Sequence, residues 1–270
     1  MDKKQLCKGI VHFLVIVLLF LIGFNLSNAT AYQRGFFCDD ESIRYPFKSS
    51  ETVDLLHLYA VVLALPVLVV IVAEIGYIFC ATRKVSCQDS RVLINVLTVL
   101  GDWFLLACIC FTVESYVKVT VGRLRPIFMD ACQPDISCDD PKNHRNYITE
   151  FKCNASKYSL SDLRRSFPSG HSAEAMFSMV YLILYLQKRF ESKHLIHALV
   201  VCLQLFFFLL AVFVGISRLH DHRHHPTDVL AGFLLGGLTA FIGIRASKKL
   251  DHLVPYERQG SDVKKDLNVI

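Results

Sequence analysis

Six long stretches of the sequence contain almost no charged residues, and they constrain the fold more than any other feature. The first has no Asp, Glu, Lys or Arg, and the third is interrupted only by Asp102. A helix needs about 20 mainly apolar residues to cross a bilayer. Backbone exposed to lipid must satisfy its own hydrogen bonds, so such stretches form helices. The six stretches are Gly9–Gln33, Leu55–Val72, Val92–Phe111, Ala175–Gln187, Leu195–Ile216 and Val229–Ile244.

This pattern predicts an all-α integral membrane protein with six transmembrane helices. The fourth and sixth stretches are short, but they reach spanning length when Gly170–Glu174 and Thr227–Asp228 precede them. A soluble helical protein is the alternative, but its water-facing helices would carry a polar stripe that these stretches lack. We expect one membrane domain over residues 1–270, with a polar, flexible tail from about 249 to 270.

The orientation of the helices follows from the distribution of positive charge. A basic start and the sequence Ala29–Ala31 resemble a signal peptide, but the first apolar stretch is long for one, which favours an uncleaved helix. Long loops cross membranes largely regardless of their charge, so the loop Lys118–Ser169 is left out of the comparison. The remaining Lys and Arg residues place both termini in the cytoplasm. We expect the plasma membrane as the location.

Several single residues add to this outline. Asn154 begins the sequon Asn-Ala-Ser and is a candidate for glycosylation in the long outer loop. Gly232 and Gly236 have the spacing that permits close helix packing. Asp102 is an ionisable residue in a membrane span, which marks a functional site by default, although the sequence suggests no partner. Four of the ten cysteines lie in predicted outer loops, where disulfides are permitted but their pairing is not readable: Cys38, Cys132, Cys138 and Cys153.

Four polar clusters are predicted to reach the same, outer side of the membrane. They lie at the end of the third helix, before the fourth, at the end of the fifth and before the sixth. Helix ends on one face can meet even when they are far apart in sequence, so we expect a site at the outer or luminal helix ends. The clusters are Lys118–Pro126, Phe167–Ser172, Ser217-Arg218 and His224–Asp228.

The positive side chains of these clusters favour an anion site, most simply one for phosphate. Arginine matches phosphate oxygens with two parallel donors, and lysine adds a point charge. Ser169 and Gly170 stand just before a helix, whose free N–H groups and dipole attract anions. Anchoring to lipid headgroups would explain single arginines, but it accounts poorly for all the clusters together. The cationic residues are Lys118, Arg123, Arg125 and Arg218.

The histidines suggest chemistry on the bound phosphate. One histidine can attack phosphorus and hold the phosphoryl group, and a second can protonate the leaving alkoxide. An aspartate can fix the tautomer and orientation of a histidine. His224 and Asp228 are four residues apart, which places them on one face at the mouth of a helix.

Metal binding is the rival explanation of the histidine-rich segment. Its imidazoles are suitable zinc ligands, but no second cluster of acidic ligands is evident, so we expect no metal. We interpret His220 and His222 as loop residues. The four histidines are His220, His222, His224 and His225.

Three motifs in order resemble the signature of the type 2 phosphatidic acid phosphatase superfamily. They are Lys118 with Arg125-Pro126, Pro168-Ser169-Gly170-His171, and Ser217-Arg218 with His224 and Asp228. The six-helix layout and the stretch CDDESIRYPF are similar to the animal lipid phosphate phosphatase branch.

The resemblance implies roles for these residues and a substrate class. His224 would be the nucleophile, oriented by Asp228, and His171 would protonate the leaving group. The phosphate would be held by Lys118, Arg125, Ser169, Gly170 and Arg218. The family is metal-independent, so no cofactor is expected. Its substrates are phosphatidate, lysophosphatidate, sphingosine 1-phosphate and ceramide 1-phosphate, met at the extracellular or luminal leaflet.

Other functions remain open at this point. An isoprenoid diphosphate phosphatase or a lipid phosphotransferase would use the same site. A transporter or channel would need polar residues at several depths, but here they gather at one face, apart from Asp102. An adhesion or scaffold protein would not need an intact set of catalytic residues. A net charge of +5, without a basic stripe carrying aromatics, does not suggest nucleic acid as a partner. A homo-oligomer stays open.

Overall fold

The computed structural model describes residues 3–82, 90–143, 145–154, 159–190 and 197–247. These residues are mostly helical, which confirms the all-α prediction. The predicted tail from 249 to 270 and the second and third residues of the sequon lie outside this part of the chain. The helices are α1 Lys3–Asn28, α2 Leu55–Tyr59, a π-helical segment Ala60–Ala64, α3 Leu65–Thr82, α4 Ser90–Val121, α5 Phe128–Cys132, α6 Gly170–Phe190, α7 His197–His220 and α8 Pro226–Ser247.

Five helical segments of the described chain are long and apolar enough to cross a membrane. They correspond to five of the six predicted spans, and the second of them contains the π-helical segment. The remaining prediction, the fourth stretch Ala175–Gln187, falls on α6, which is long but not apolar enough by the same measure. The five segments are Gly9–Asn28, Leu55–Tyr77, Val92–Val121, His197–His220 and Pro226–Ser247.

The low hydropathy of α6 has a structural reason, because this helix lies inside the bundle. It packs against α4, α7 and α8, and thirteen of its 21 residues are buried. A helix enclosed by other helices does not need apolar side chains all round, since protein rather than lipid contacts it. By contrast, only 6% of the span in α1 is buried, and Phe13 and Phe20 are exposed on it. The apolar surface of α1 is what a lipid-facing helix needs.

The seam between α6 and α8 depends on the two glycines predicted to pack closely. A Cβ on Gly232 would lie 2.5 Å from the backbone oxygen of Ser169. A Cβ on Gly236 would lie only 2.1 Å from the oxygen of Ala173. Both distances are far below van der Waals contact, so these positions admit only glycine at this helix separation. The packing prediction is confirmed.

One end of the bundle is covered by the described residues of 29–54 and 122–169, which we call the cap. The cap contains α5, the 3₁₀ turns Glu41–Ile43 and Asp162–Arg164, and strands β1 (Phe36–Phe37) and β2 (Tyr147–Ile148) paired antiparallel. Two disulfides join its parts, Cys38–Cys138 and Cys132–Cys153. All four cysteines of the predicted outer loops are therefore paired, and the cap has a fixed shape over the helix ends.

Buried charges mark the other end of α6. Arg189 Nη2 contacts Glu74 Oε2 of α3 at 2.6 Å, and the hydroxyl of Tyr185 donates to Glu74 Oε1 at 2.7 Å. Both charged side chains are almost fully buried. This ion pair ties α6 to α3. Asp102 of α4 is also buried, at 1% exposure, so it faces the bundle interior rather than lipid.

Candidate active site

The predicted helix ends do meet, and they line one pocket under the cap with a volume of about 290 Å³. The pocket lies between the last turns of α4 and α7, the first turn of α6 and the loop before α8. Ser169 and Asp228 are fully buried beside it rather than in its lining. Arg123, also predicted for the anion site, lies outside the lining and contacts Asp228. The remaining predicted site residues line the pocket: Lys118, Arg125, Gly170, His171, Arg218 and His224.

His224 is held in one orientation by a backbone carbonyl. Its Nδ1 lies 2.7 Å from the oxygen of Ser166, which can only accept a hydrogen bond. Nδ1 therefore carries the proton, and Nε2 keeps a free electron pair. Nε2 lies 3.3 Å from Arg125 Nη1 at the pocket. Burial, reinforced by the charge of Arg125, lowers the pKa of His224 to about 3, so this imidazole is neutral at pH 7.

Asp228 stabilises the segment around His224 rather than bonding to its ring. Its Oδ2 is 3.8 Å from His224 Nδ1, which is beyond hydrogen-bond distance. Instead Oδ2 accepts from the hydroxyl of Ser166 at 2.6 Å and from the backbone N–H of His225 at 2.9 Å. Oδ1 accepts from Arg123 Nη1 at 2.6 Å. The carboxylate thus fixes Ser166, whose carbonyl orients His224, and adds negative charge behind the ring.

His171 faces the same pocket from the first turn of α6. Its Nε2 is buried and has no hydrogen-bond partner in the part of the chain that the structure describes. A buried polar nitrogen without a partner is costly, so a bound ligand is its natural complement. The first N–H groups of α6 also have no earlier turn to bond to. The start of α6 therefore offers both a titratable nitrogen and an electropositive helix end.

Lys118 reaches the same helix start from α4. Its Nζ contacts Glu114 Oε1 at 2.5 Å, one turn earlier on α4. Both side chains press against Gly170, where a Cβ would lie 2.5 Å from Glu114 Oε1 and 2.8 Å from Lys118 Nζ. A side chain at this position would displace the ends of Glu114 and Lys118, so glycine keeps their present arrangement at the start of α6.

Arg218 is fully engaged by carboxylates. Its Nη1 donates to Glu51 Oε2 of the cap at 2.7 Å, and its Nη2 donates to Asp221 at 3.1 Å. The other oxygen of Glu51 lies 3.2 Å from Arg223 Nη2. Thr52 in turn donates its backbone N–H to Asp221 at 2.7 Å. Glu51 therefore bridges two buried guanidinium groups at the pocket, in the manner of an anionic ligand.

Asp221 keeps its negative charge although it lies in a largely buried position beside Arg218. Burial alone would raise the pKa of its carboxyl, but hydrogen bonds from Thr52 and the charge of Arg218 outweigh burial and lower it. Asp221 therefore stays ionised beside Arg218 at neutral pH.

Sequence reasoning missed four of the residues that build this site. Ser166 acts through its carbonyl, and a carbonyl gives no signal in the sequence. Glu51 lies in the cap, more than a hundred residues from the motifs it contacts. Arg223 and His225 flank His224 in the sequence, and this position next to the motif could have indicated that they belong to the site. The four are Glu51, Ser166, Arg223 and His225.

The two other histidines of the histidine-rich segment, His220 and His222, lie outside the pocket lining. His220 has a side chain that is 74% exposed. His222 packs its ring against Tyr45 of the cap, with 4.8 Å between ring centroids. Within the described ranges, no three His, Cys, Asp or Glu side chains converge as metal ligands would.

Comparison with known proteins adds independent information. The model of the PAP2 superfamily matches residues 96–251. A Drosophila melanogaster protein named "Putative phosphatidate phosphatase" is 37% identical over 89% of this chain and 68% of its own length. Phospholipid phosphatase 1 of Rattus norvegicus is 32% identical, with coverage of 89% and 85%. Phospholipid phosphatase 2 of Mus musculus is 35% identical, with coverage of 86% and 82%. No solved structure matches the chain significantly.

Proposed function

Since the chain belongs to the PAP2 superfamily and is a membrane phosphatase acting on phospholipids, we propose that it hydrolyses lipid phosphate monoesters through a phosphohistidine. Phosphatidate, lysophosphatidate, sphingosine 1-phosphate and ceramide 1-phosphate are the substrates we propose. The observation that carries the mechanism is the geometry of His224: Nδ1 donates to a carbonyl, and an unprotonated Nε2 faces a cationic pocket, 3.3 Å from Arg125 Nη1.

The first step is an in-line displacement at phosphorus. The electron pair of His224 Nε2 forms the N–P bond while the bond from phosphorus to the ester oxygen breaks. The negative charge of the bound phosphate keeps His171 protonated on both ring nitrogens, and the leaving alkoxide takes one of these protons, so the lipid departs as an alcohol. Arg125, Lys118 and the N–H groups at Gly170 hold the phosphoryl oxygens. Positive charge on the His224 ring is offset by the carboxylate of Asp228 at 3.8 Å.

The second step returns the enzyme to its starting state. Water attacks the phosphohistidine and gives up a proton to His171, which is neutral after the first step. The N–P bond breaks, its electrons return to His224 Nε2, and phosphate leaves. Each histidine ends the cycle in the protonation state in which it began.

We further infer that α6 is a sixth span and that the pocket opens at the extracellular or luminal leaflet. A 21-residue helix is about 30 Å long, the thickness of a bilayer's hydrocarbon core. The two disulfides of the cap support the outer side, because disulfides persist in oxidising compartments. Asn154 is exposed on the cap, as a glycosylation site requires. With this topology both termini are cytoplasmic, and we propose the plasma membrane.

The test is phosphate release from phosphatidate by detergent-solubilised protein, with excess chelator and no added metal. His224→Ala should reduce release roughly a thousandfold or more, as the loss of a nucleophile does. His171→Ala should reduce it by about 100-fold to 10,000-fold. The matched control is His220→Ala, an exposed histidine of the same segment, which should leave the rate unchanged.

Two outcomes would contradict the proposal. Full activity in His224→Ala would exclude the phosphohistidine. Release that appears only after a divalent metal is added would make the reaction metal-dependent. Assaying a prenyl diphosphate beside phosphatidate, and an alcohol acceptor beside water, separates the two rival activities that the same pocket would serve.

A further inference from the structure

We propose that Glu114 and Glu174 form a recognition site for a hydrogen-bond donor, a hydroxyl or an ammonium group, on the carbon next to the phosphate ester. This inference rests on the proposed function and concerns which lipid phosphates the pocket selects. Its basis is a second cavity, which adjoins the first at Glu174.

The second cavity is an apolar chamber of about 290 Å³ between α1, α2, the π-helical segment, α4 and α6. Its walls include Trp103, Ala107 and Phe177. Phe111 and Glu174 line both the chamber and the phosphate pocket. A molecule with a phosphate head and a hydrocarbon chain can therefore occupy the two cavities at once, with its junction beside Glu174.

The π-helical segment gives the chamber part of its wall. Val62 and Leu63 of this segment line the chamber. A π-turn interrupts the regular hydrogen bonds of a helix and is frequent at functional sites. Ser178 of α6 donates its hydroxyl to the carbonyl of Val62 at 3.2 Å, which fixes this wall.

One carboxylate oxygen at the junction lacks a donor. Glu114 Oε1 accepts from Lys118 Nζ, but the buried Oε2 has no hydrogen-bond partner among the residues that the structure describes. The side chain of Glu114 is only 5% exposed, so bulk water does not solvate it. A buried acceptor of this kind is stabilised by a donor that arrives with a ligand.

The depth of Glu174 matches the chemistry of the substrate. Glu174 follows His171 by three residues on α6 and lines the chamber, so it lies about one helical turn, roughly 5.4 Å, from His171 toward the chamber. The substituent on the neighbouring carbon is four covalent bonds of about 1.5 Å from phosphorus, which spans this distance. The Glu114 carboxylate contacts Lys118 Nζ at 2.5 Å, so it lies at the edge of the phosphate pocket.

This arrangement separates two kinds of lipid phosphate. Lysophosphatidate offers a hydroxyl at that carbon and sphingosine 1-phosphate offers an ammonium group. Phosphatidate has an ester there and offers no donor. A site built to bond a donor discriminates against analogues that lack it, because its buried acceptors are then left unsatisfied.

The experiment compares kcat/KM for these three lipids, with matched chain lengths in mixed micelles. In Glu174→Gln, kcat/KM should fall at least about tenfold for sphingosine 1-phosphate, lysophosphatidate or both, and less than about threefold for phosphatidate, since the amide replaces one acceptor oxygen with an NH2 donor. A loss confined to sphingosine 1-phosphate identifies the ammonium as the recognised donor, and one confined to lysophosphatidate identifies the hydroxyl. Glu41→Gln, an exposed acid of the cap, is the control.

Equal losses for all three lipids, or no loss for any, would overturn the inference. Phosphatidate hydrolysis by the unaltered protein tests the proposed function separately, so the two failures are distinguishable. If Glu174→Gln does not fold, Glu114→Gln provides the comparison as the ratio of kcat/KM for each of the other two lipids to kcat/KM for phosphatidate, because the loss of its charge beside Lys118 changes phosphate binding for all three lipids alike. Ala107→Phe should fill the chamber and reduce kcat/KM for long-chain lysophosphatidate more than for short-chain lysophosphatidate. Equal reductions for the two chain lengths would show that the chamber does not bind the hydrocarbon chain.

Discussion

Replacing Gly236 by alanine tests whether the separation of α6 and α8 sets the geometry of catalysis. A Cβ at this position would lie 2.1 Å from the oxygen of Ala173 and 2.7 Å from the nitrogen of Phe177. Both neighbours are backbone atoms of α6, which cannot rotate away as a side chain does. Ordinary contact begins at 3.4 Å, so the two helices must move apart by more than 1 Å.

That displacement reaches the active site because α8 begins just after His224. The bond from His224 Nδ1 to the oxygen of Ser166 is 2.7 Å, and the backbone N–H of Ser169 donates to the backbone carbonyl of Asp228 at 3.0 Å. Both bonds join the start of α8 to the segment before α6. A misplacement of about 1 Å can cost on the order of 100-fold in rate. Overpacking of a tight interface costs about 1–3 kcal/mol in the free energy of unfolding.

The assay is phosphate release from phosphatidate, together with the midpoint of thermal unfolding in detergent. Gly236→Ala should lower kcat/KM by about 100-fold and lower the unfolding midpoint. Gly237→Ala is the matched control, because its nearest neighbour is Met176 Cγ at 3.8 Å. This variant should keep full activity and gain about 0.5–1 kcal/mol from the loss of a helical glycine. Wild-type kcat/KM in Gly236→Ala would refute the reasoning.

Three further predictions concern buried charges. Glu74→Ala leaves Arg189 buried and unpaired, which should cost about 3–5 kcal/mol in the free energy of unfolding; a thermal midpoint equal to wild type would contradict this. Because the pKa of His224 is lowered to about 3, its nucleophilic form persists as pH falls from 8 to 5. The substrate phosphate itself titrates near pH 6, so its effect must first be subtracted. A remaining loss of kcat/KM centred near pH 6.5 would contradict the lowered pKa of His224. Glu51→Gln removes the carboxylate that neutralises Arg218, so the inhibition constant for inorganic phosphate should fall by roughly tenfold, measured by competition. An unchanged constant would mean that Glu51 does not compete for this arginine.

The fold was predictable from the sequence wherever a helix faces lipid. Lipid admits only apolar side chains, so the composition of these helices reports their environment directly. α6 was predicted only by adding Gly170–Glu174 to a short apolar stretch, because this helix is enclosed by protein and its Glu174 and Arg189 need not contact lipid. α4 shows the same limit at its end. Its apolar stretch ends at Phe111, but the helix continues to Val121, since Glu114 and Lys118 face the pocket.

The cap was not predictable as a structure. Its core is small, its strands have two residues each, and its shape depends on the disulfide pairing. Four cysteines allow three pairings, and nothing in their spacing selects one. The sequence therefore predicted correctly which cysteines lie in the outer loops, but it did not predict which of them pair.

The candidate site divides along a similar line. Side chains with a fixed chemical identity, such as His224 and Arg125, carried a signal in the sequence. The groups that orient them did not, because they act through backbone atoms or across long separations. The carbonyl of Ser166 would serve equally well on almost any residue, so its contact depends on the chain path between Arg123 and Gly170. Ser166 contributes specifically through its hydroxyl, which bonds Asp228. The motifs therefore specify which groups act, whereas the cap and the α6–α8 seam determine the distances at which they act.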